Sequence, residues 1–261
     1  MQLHFFKYQG AGNDFILLDN REGSYGYLDQ ARIQWLCDRR FGIGADGLML
    51  LNPDSELDFH MLYYNSDGRE GSMCGNGGRC ISAFAHRLGC MDTRGRFLAS
   101  DGIHEAVLSA PDWVELQMRD VSGLSRDGEA YVLDTGSPHY VRFVQNLEQV
   151  EVYREGKRIR YSEPYAKDGI NVNFVERAEP GLRIRTYERG VEEETFACGT
   201  GVTAAAIASV DDLGPGSYHI PVTARGGNLE VHFQKMDRSR LSDIWLCGPA
   251  TYVFEGTLEL P

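Results

Sequence analysis

Two short stretches constrain what this chain can fold into more than any other part of it. They are Met73-Cys74-Gly75-Asn76-Gly77-Gly78-Arg79-Cys80 and Ala197-Cys198-Gly199-Thr200-Gly201. Each reads as a cysteine, then a glycine-rich turn, then a helix. The first continues Ile81-Ser82-Ala83-Phe84-Ala85-His86-Arg87-Leu88, with apolar residues at helical spacing. The second continues Val202-Thr203-Ala204-Ala205-Ala206-Ile207-Ala208, small and apolar on every face, which predicts a fully buried helix. A helix N-terminus carries unpaired N–H groups and partial positive charge, which lower the pKa of a nearby thiol and bind an anionic group. Glycines let that backbone approach a ligand closely. Two such ends facing each other would hold one anion between two thiols, an arrangement suited to exchanging a proton between opposite faces of one carbon.

The bulk properties exclude several alternatives. The net charge of −12 argues against an extended nucleic-acid footprint. No apolar run approaches the length of a membrane span. The segment Met1-Gln2-Leu3-His4-Phe5-Phe6-Lys7-Tyr8 lacks the pattern of a signal peptide, so a cytoplasmic location is expected. A reducing compartment argues against structural disulfides among Cys37, Cys74, Cys80, Cys90, Cys198 and Cys247. None of their spacings is C-x-x-C, so no zinc ribbon is indicated. Cys37, Cys80, Cys90 and Cys247 read as small buried hydrophobes.

Strands are expected over residues 3–8 and 15–19, joined by the turn Gly10-Ala11-Gly12-Asn13-Asp14. Residues 29–38 read as a helix capped by Asp29. Gly42-Ile43-Gly44-Ala45-Asp46-Gly47 is a literal G-x-G-x-x-G, but a helix precedes it and a strand follows. The dinucleotide fingerprint needs the reverse order. Asn65-Ser66-Asp67-Gly68 is a turn signal without calcium-loop spacing. Residues 96–118 alternate as short strands, residues 119–130 read as a domain boundary, and strands resume from Tyr131.

The two halves share an order: strands, a glycine turn with a polar residue, more strands, then Cys-Gly-x-Gly and a helix. This reads as a duplication. The expected fold class is α+β, with two pseudo-symmetric domains, each a mainly antiparallel sheet or barrel around a central helix. Residues 1–118, completed by a closing strand over 249–261, carry Cys74, and residues 119–248 carry Cys198. A ligand cleft between the domains is the natural expectation.

Taken together, these residues resemble the diaminopimelate epimerase family. The resemblance rests on Gly10-Ala11-Gly12-Asn13-Asp14-Phe15, Arg40-Phe41-Gly42-Ile43-Gly44-Ala45-Asp46-Gly47, Tyr64-Asn65-Ser66-Asp67-Gly68 and the first cysteine stretch. It continues through Gly136-Ser137-Pro138-His139, Asn171-Val172-Asn173-Phe174 and Glu188-Arg189-Gly190 to the second cysteine stretch, in the family's order from end to end. It implies a cofactor-independent epimerase, with no metal at the site, converting L,L-2,6-diaminopimelate to the meso form for lysine and peptidoglycan synthesis. By resemblance, Cys198 accepts the α-proton and Cys74 donates one in that direction. Gly75, Asn76, Gly199 and Thr200 meet the reacting carboxylate. Asn13, Asn65, Asn171, Glu188 and Arg189 hold the amines and the distal carboxylate, with Ser137 beside them.

The chain departs from the family pattern at Gly47, where a glutamine-like residue is common, and at Ser137, where asparagine is common. The acidic run Glu192-Glu193-Glu194 is one residue longer than usual. Members are often dimers, which leaves a homodimer open. The bland readings are turn-stabilising asparagines, a solvated Glu188/Arg189 pair and a satisfied core histidine at His139. A supporting role suits His139 better than catalysis. Two related enzyme readings compete: a proline or hydroxyproline racemase, against which Asn76 stands where histidine is expected, and a phenazine-type isomerase, which lacks the thiol pair. A non-catalytic amino-acid-binding module is the alternative from another class, and the two intact thiols argue against it.

Overall fold

The protein is seen here as a computed structural model, which describes residues 2–260. The chain divides into two units. One comprises residues up to Leu116 with those from Gly248 onward, and the other is Gln117–Cys247. The expected α+β fold is present; each unit, expected to hold a mainly antiparallel sheet, has a central helix and a sheet that mixes antiparallel with parallel pairs.

The first unit begins with β1 (Gln2–Gly10) and β2 (Asn13–Asp19), followed by α1 (Gln30–Cys37), β3 (Gly47–Asn52) and β4 (Phe59–Asn65). Then come α2 (Gly75–Arg87), β5 (Arg94–Ala99), β6 (Gly102–Ala110) and β7 (Trp113–Gln117). The β1–β2 hairpin turns at Ala11 and Gly12, both with positive φ (51° and 81°), the geometry whose twist matches the flanking strands. Asp29 caps α1 by accepting from the Arg32 N–H. α2 packs against β1, β2, β3 and β6, burying Ile81, Phe84 and Ala85 completely. Removing each large apolar side chain from water contributes about 1.5–3 kcal/mol.

The second unit holds β8 (Val121–Ser122), β9 (Ser125–Asp127), β10 (Ala130–Asp134) and β11 (Pro138–Phe143), then α3 (Val152–Arg160), β12 (Asn171–Arg177), β13 (Leu182–Glu188) and β14 (Glu193–Thr195). It continues with α4 (Gly199–Ser209), β15 (Gly216–Ala224), β16 (Gly227–Lys235) and β17 (Arg240–Pro249). The last strand, β18 (Thr251–Glu259), belongs to the first unit and pairs antiparallel with β1. Nearly all of α4 is buried, as its uniformly small, apolar sequence predicts.

The pairing pattern gives the duplication a concrete form. From β1 to β7, successive pairs are antiparallel, parallel, antiparallel, parallel, antiparallel, antiparallel. The series β10, β11, β12, β13, β15, β16, β17 repeats that order. Parallel neighbours need crossovers, and helices supply them at matching places. α1 and α3 connect the first parallel pair of each unit, and α2 and α4 connect the second. Asn13 and Pro138 therefore open equivalent strands, as do Gly47 and Asn171, while Asn65 and Glu188 close equivalent strands.

Two features differ from the sequence reading. The glycines after each cysteine form the first helical turn itself, with Cys74 and Cys198 as N-caps, rather than a turn preceding the helix. Close packing explains the lack of a side chain at two of them. A Cβ on Gly78 would lie 2.5 Å from Met73 Cε, and one on Gly201 would lie 2.4 Å from Asn173 Oδ1. The second feature, α3, has no counterpart in the strand-dominated reading of that half. It buries Val152 and Ile159 against Phe174 and Tyr187. Gly156 gives it that closeness, since a Cβ there would sit 2.3 Å from Tyr187 Cβ.

Candidate active site

In the first unit, Cys74 caps α2 without a side-chain capping bond, so its sulfur is available for other contacts. The sulfur lies 3.6 Å from Asn13 Oδ1, which also accepts from Asn76 Nδ2 at 3.2 Å. The Asn13 amide is oriented from both sides. Its Nδ2 donates to Asp46 Oδ2 at 2.6 Å, and a carboxylate only accepts. Arg39 in turn holds Asp46 at 2.8 Å. On the other side, the fully buried Arg79 donates to Asn76 Oδ1 at 2.9 Å, which turns Asn76 Nδ2 toward Asn13. Cys74 therefore faces a carbonyl oxygen, the partner of an S–H group. Asp14, next to Asn13, is clamped by Lys7 and Arg39, each at 2.6 Å. Burial pushes its carboxyl up, but these two cations outweigh it and draw it down to about 2.

In the second unit, Cys198 is buried and its sulfur lies 3.4 Å from Thr200 Oγ1. Behind Thr200 stands His139, fully buried, with Nε2 2.8 Å from Thr200 Oγ1 and 3.0 Å from Ser137 Oγ. Asn173 fixes the histidine tautomer. Its Nδ2 donates to the Tyr140 carbonyl at 3.1 Å and lies 3.0 Å from His139 Nδ1, while its Oδ1 accepts from Thr186. Nδ1 is thus the acceptor, and Nε2 carries the proton. Burial, aided by the charge of Arg189, lowers the pKa of His139 to about 3, so the ring stays neutral. Its Nε2–H is within reach of both the Thr200 and Ser137 oxygens, and the Thr200 hydroxyl in turn lies 3.2 Å from Ser137 Oγ and 3.4 Å from the Cys198 sulfur. Thr135 Oγ1 donates to the Thr200 carbonyl at 2.8 Å and ties this helix turn to β10.

Four more of the expected site residues gather in the second unit. Asn171 Nδ2 donates to Ser137 Oγ at 3.1 Å and to the Pro138 carbonyl at 3.2 Å, and its Oδ1 accepts the Arg189 N–H at 2.8 Å. Arg189 Nη1 donates to the Asp168 carbonyl at 2.9 Å. Glu188 ends β13 immediately before it. The longer acidic run is absorbed locally. Glu192 takes a positive φ of 60° and binds Arg160 and Tyr187, while Glu194 forms a two-bond pair with Arg185.

Asn65 is placed differently. Its backbone closes the turn to Gly68, and its exposed side-chain amide makes no hydrogen bond among the described residues. It sits opposite Gly47 in the β3–β4 register. The space a larger residue would use at Gly47 is filled by Tyr63, whose Cε2 would be 2.5 Å from a Cβ there. Sequence reasoning missed Asp46, Arg39, Arg79, Asn173 and Tyr63. Asp46, Arg79 and Asn173 do lie within segments that carry the resemblance, which was a usable signal.

Comparison with solved structures places the fold. A phenazine biosynthesis protein of the PhzF family from Bacillus anthracis superposes with a TM-score of 0.78 over all of both chains at 13% identity. A hydroxyproline epimerase from Agrobacterium vitis gives 0.67 at 15% identity, over 98% of this chain and 92% of that one. At the sequence level the likeness is much closer. A diaminopimelate epimerase from Flavobacterium psychrophilum is 49% identical over 98% of this chain and all of its own length. That of Chlorobaculum tepidum is 44% identical over 96% of this chain and 99% of its own. The diaminopimelate epimerase family pattern matches residues 5–120 and 131–253. Fold and relatives together define an enzyme of the isomerase class. The chain belongs to the diaminopimelate epimerase family.

Proposed function

We propose that this enzyme interconverts L,L- and meso-2,6-diaminopimelate by a two-thiol mechanism, in the cytoplasm, for lysine and peptidoglycan precursor synthesis. In the L,L-to-meso direction Cys198 acts as thiolate base and Cys74 as thiol acid. The observation that carries this assignment is the difference between their partners: the Cys198 sulfur lies 3.4 Å from the Thr200 hydroxyl, a group able to donate to it, and Cys74 faces the Asn13 oxygen, which only accepts. A donor stabilises a thiolate, and an acceptor stabilises a thiol.

The α-proton of an amino acid is a very weak acid, so the carbanion needs electrostatic help. The first N–H groups of a helix have no intrahelical acceptor, and Gly75, Asn76, Gly199 and Thr200 occupy those positions. They are assigned to the reacting carboxylate. Cys198 takes the proton as the C–H bond breaks, the electron pair passes into the carboxylate system, and Cys74 delivers its proton to the opposite face. The thiolate and thiol then exchange roles, ready for the reverse reaction. Asn65, Asn171, Glu188, Arg189 and Ser137 are assigned to the amines and the distal carboxylate, with Arg189 suited to a bidentate carboxylate contact. Asn13 both orients Cys74 and offers an amide to the substrate.

Proton NMR in deuterated water with each cysteine variant tests the assignment. Cys74→Ala should exchange the α-proton of L,L-diaminopimelate without forming the meso isomer. Cys198→Ala should leave the L,L α-proton in place and exchange only at the D-centre of the meso isomer. The reverse pattern would exchange the two roles, and full activity in either variant would end the two-thiol reading.

A further inference from the structure

The hairpin of β15 and β16 carries a side-chain cluster that the reaction does not use. His219 and His232 are directly opposite each other in the antiparallel register, with ring centroids 3.9 Å apart. Glu230 lies two residues before His232, so both project from the same face of β16. His219 Nε2 is 2.7 Å from Glu230 Oε2, and His232 Nε2 is 3.5 Å from the same oxygen. One ligand atom from each residue falls within 4.8 Å of the others.

We infer that His219, Glu230 and His232 form a binding site for a first-row divalent cation of the zinc type. Two imidazoles and a carboxylate are a recurrent zinc donor set, with metal–ligand distances of about 2.0–2.2 Å and a fourth position left to water. The observed spacings need only small side-chain rotations to meet that geometry, because the sheet has already brought the three residues together.

The state of His232 is the second, independent observation. Its Nε2 is shielded from solvent yet makes no hydrogen bond, with a Glu230 carboxylate oxygen 3.5 Å away. A buried imidazole nitrogen left in that state is costly unless something binds it. Its other nitrogen, Nδ1, faces the fully buried Cys247 sulfur at 4.0 Å, which turns Nε2 toward Glu230. Metal-binding histidines are commonly oriented in this way by a contact at the second ring nitrogen. When the cation enters, the proton between His219 and Glu230 shifts to His219 Nδ1, so both imidazoles bind as neutral rings. The donor set disfavours magnesium and calcium, which take oxygen ligands.

The reacting thiols also bind zinc, so the test starts from a metal-free Cys74→Ala/Cys198→Ala protein. Titration with zinc chloride by calorimetry should give one equivalent per chain, with the ring nitrogen shifts of His219 and His232 moving together in NMR. Adding His219→Ala or His232→Ala should weaken binding by at least about 10-fold. In the chain with both thiols intact, metal-free His219→Ala/His232→Ala should keep full epimerase activity, which establishes that the double variant folds. Zinc binding of unchanged affinity when both histidines are replaced in the Cys74→Ala/Cys198→Ala protein, or none in that parent, would overturn the inference.

Discussion

The two cysteine-bearing helix ends share one backbone plan and differ in how they are wired. Both begin Cys-Gly-x-Gly, both cap a central helix with the cysteine, and both helices cross between parallel strands at the same place in the strand order. Around Cys74 the supporting network is ionic. Lys7, Asp14, Arg39, Asp46 and the buried Arg79 fix two amides, and the final group offered to sulfur is a carbonyl oxygen. Around Cys198 the network is neutral. Asn173, His139 and Thr200 pass one hydrogen-bond direction along to a hydroxyl. The difference teaches that a duplicated scaffold can place unlike groups beside two like helix ends; on the proposed reading, those groups are what make the two thiols complementary.

The largest expected effect comes from the thiols themselves. Either cysteine-to-alanine change should lower epimerisation by about 10⁴-fold or more, the upper range of acid–base catalysis, while isotope exchange survives on one substrate face only. Comparable residual turnover of both isomers in either variant would break the comparison.

The equivalent glycines Gly77 and Gly201 offer the next test. A Cβ on Gly201 would strike Asn173 Oδ1 at 2.4 Å, whereas one on Gly77 would meet the flexible end of Met49 at 3.3 Å and Cys74 Cβ at an ordinary 3.5 Å. Gly201→Ala should cost about 1–3 kcal/mol and disturb the His139 tautomer, and Gly77→Ala should be far milder. Thermal melts of the two variants side by side decide this, and equal losses would show that the two turns are held alike.

Thr200→Val removes the donor at Cys198 while keeping the shape. A hydrogen bond to a charged group contributes about 1.5–3 kcal/mol, so kcat/KM should fall about 10–100-fold. An unchanged value would remove the hydroxyl from the account and leave the helix end alone to support the thiolate.

The smallest effects separate the two networks by their response to acid. His139 is held neutral, with its pKa brought from 6.5 to about 3 mainly by burial. The folded state therefore loses stability as pH falls below about 6.5, until the folded ring itself takes a proton near pH 3. Asp14 has a lowered pKa, so its contribution is present above 3.8 and is lost as pH falls toward about 2. Denaturant titrations across pH should show the upper slope flattened in His139→Asn and the lower one flattened in Asp14→Asn. A single shared slope would merge the two networks.

Much of the fold was legible because local signals agreed with one another. The small apolar run after Cys198 could only be a buried helix, Asp29 announced the start of α1, and alternating residues marked most strands. α3 was not legible, since its short, highly charged sequence is held as a helix by Tyr187 packing over Gly156. The cysteines, asparagines and Arg189 stood out by residue type and glycine context. Their supporters did not. Asp46 reaches Asn13 only because β2 and β3 pair in parallel, and Asn173 reaches His139 only through the β11–β12 register. Such contacts join residues far apart in the chain, where no local pattern marks them. The glycine at position 47 was visible, but the Tyr63 ring covering it was not.

The partner of β1 has a consequence for how the molecule is made. Gln2 pairs with Glu259, so during synthesis β1 waits for a neighbour that follows all of β2 to β17 in the chain. The intervening Gln117–Cys247 unit has its complete set of strands earlier in translation. Until β18 emerges, β1 presents an open sheet edge beside the Phe5 and Phe254 pairing still to come. The unit that holds β1 is therefore completed only after the intervening unit, and until then its open edge is a place where nascent chains can associate with one another.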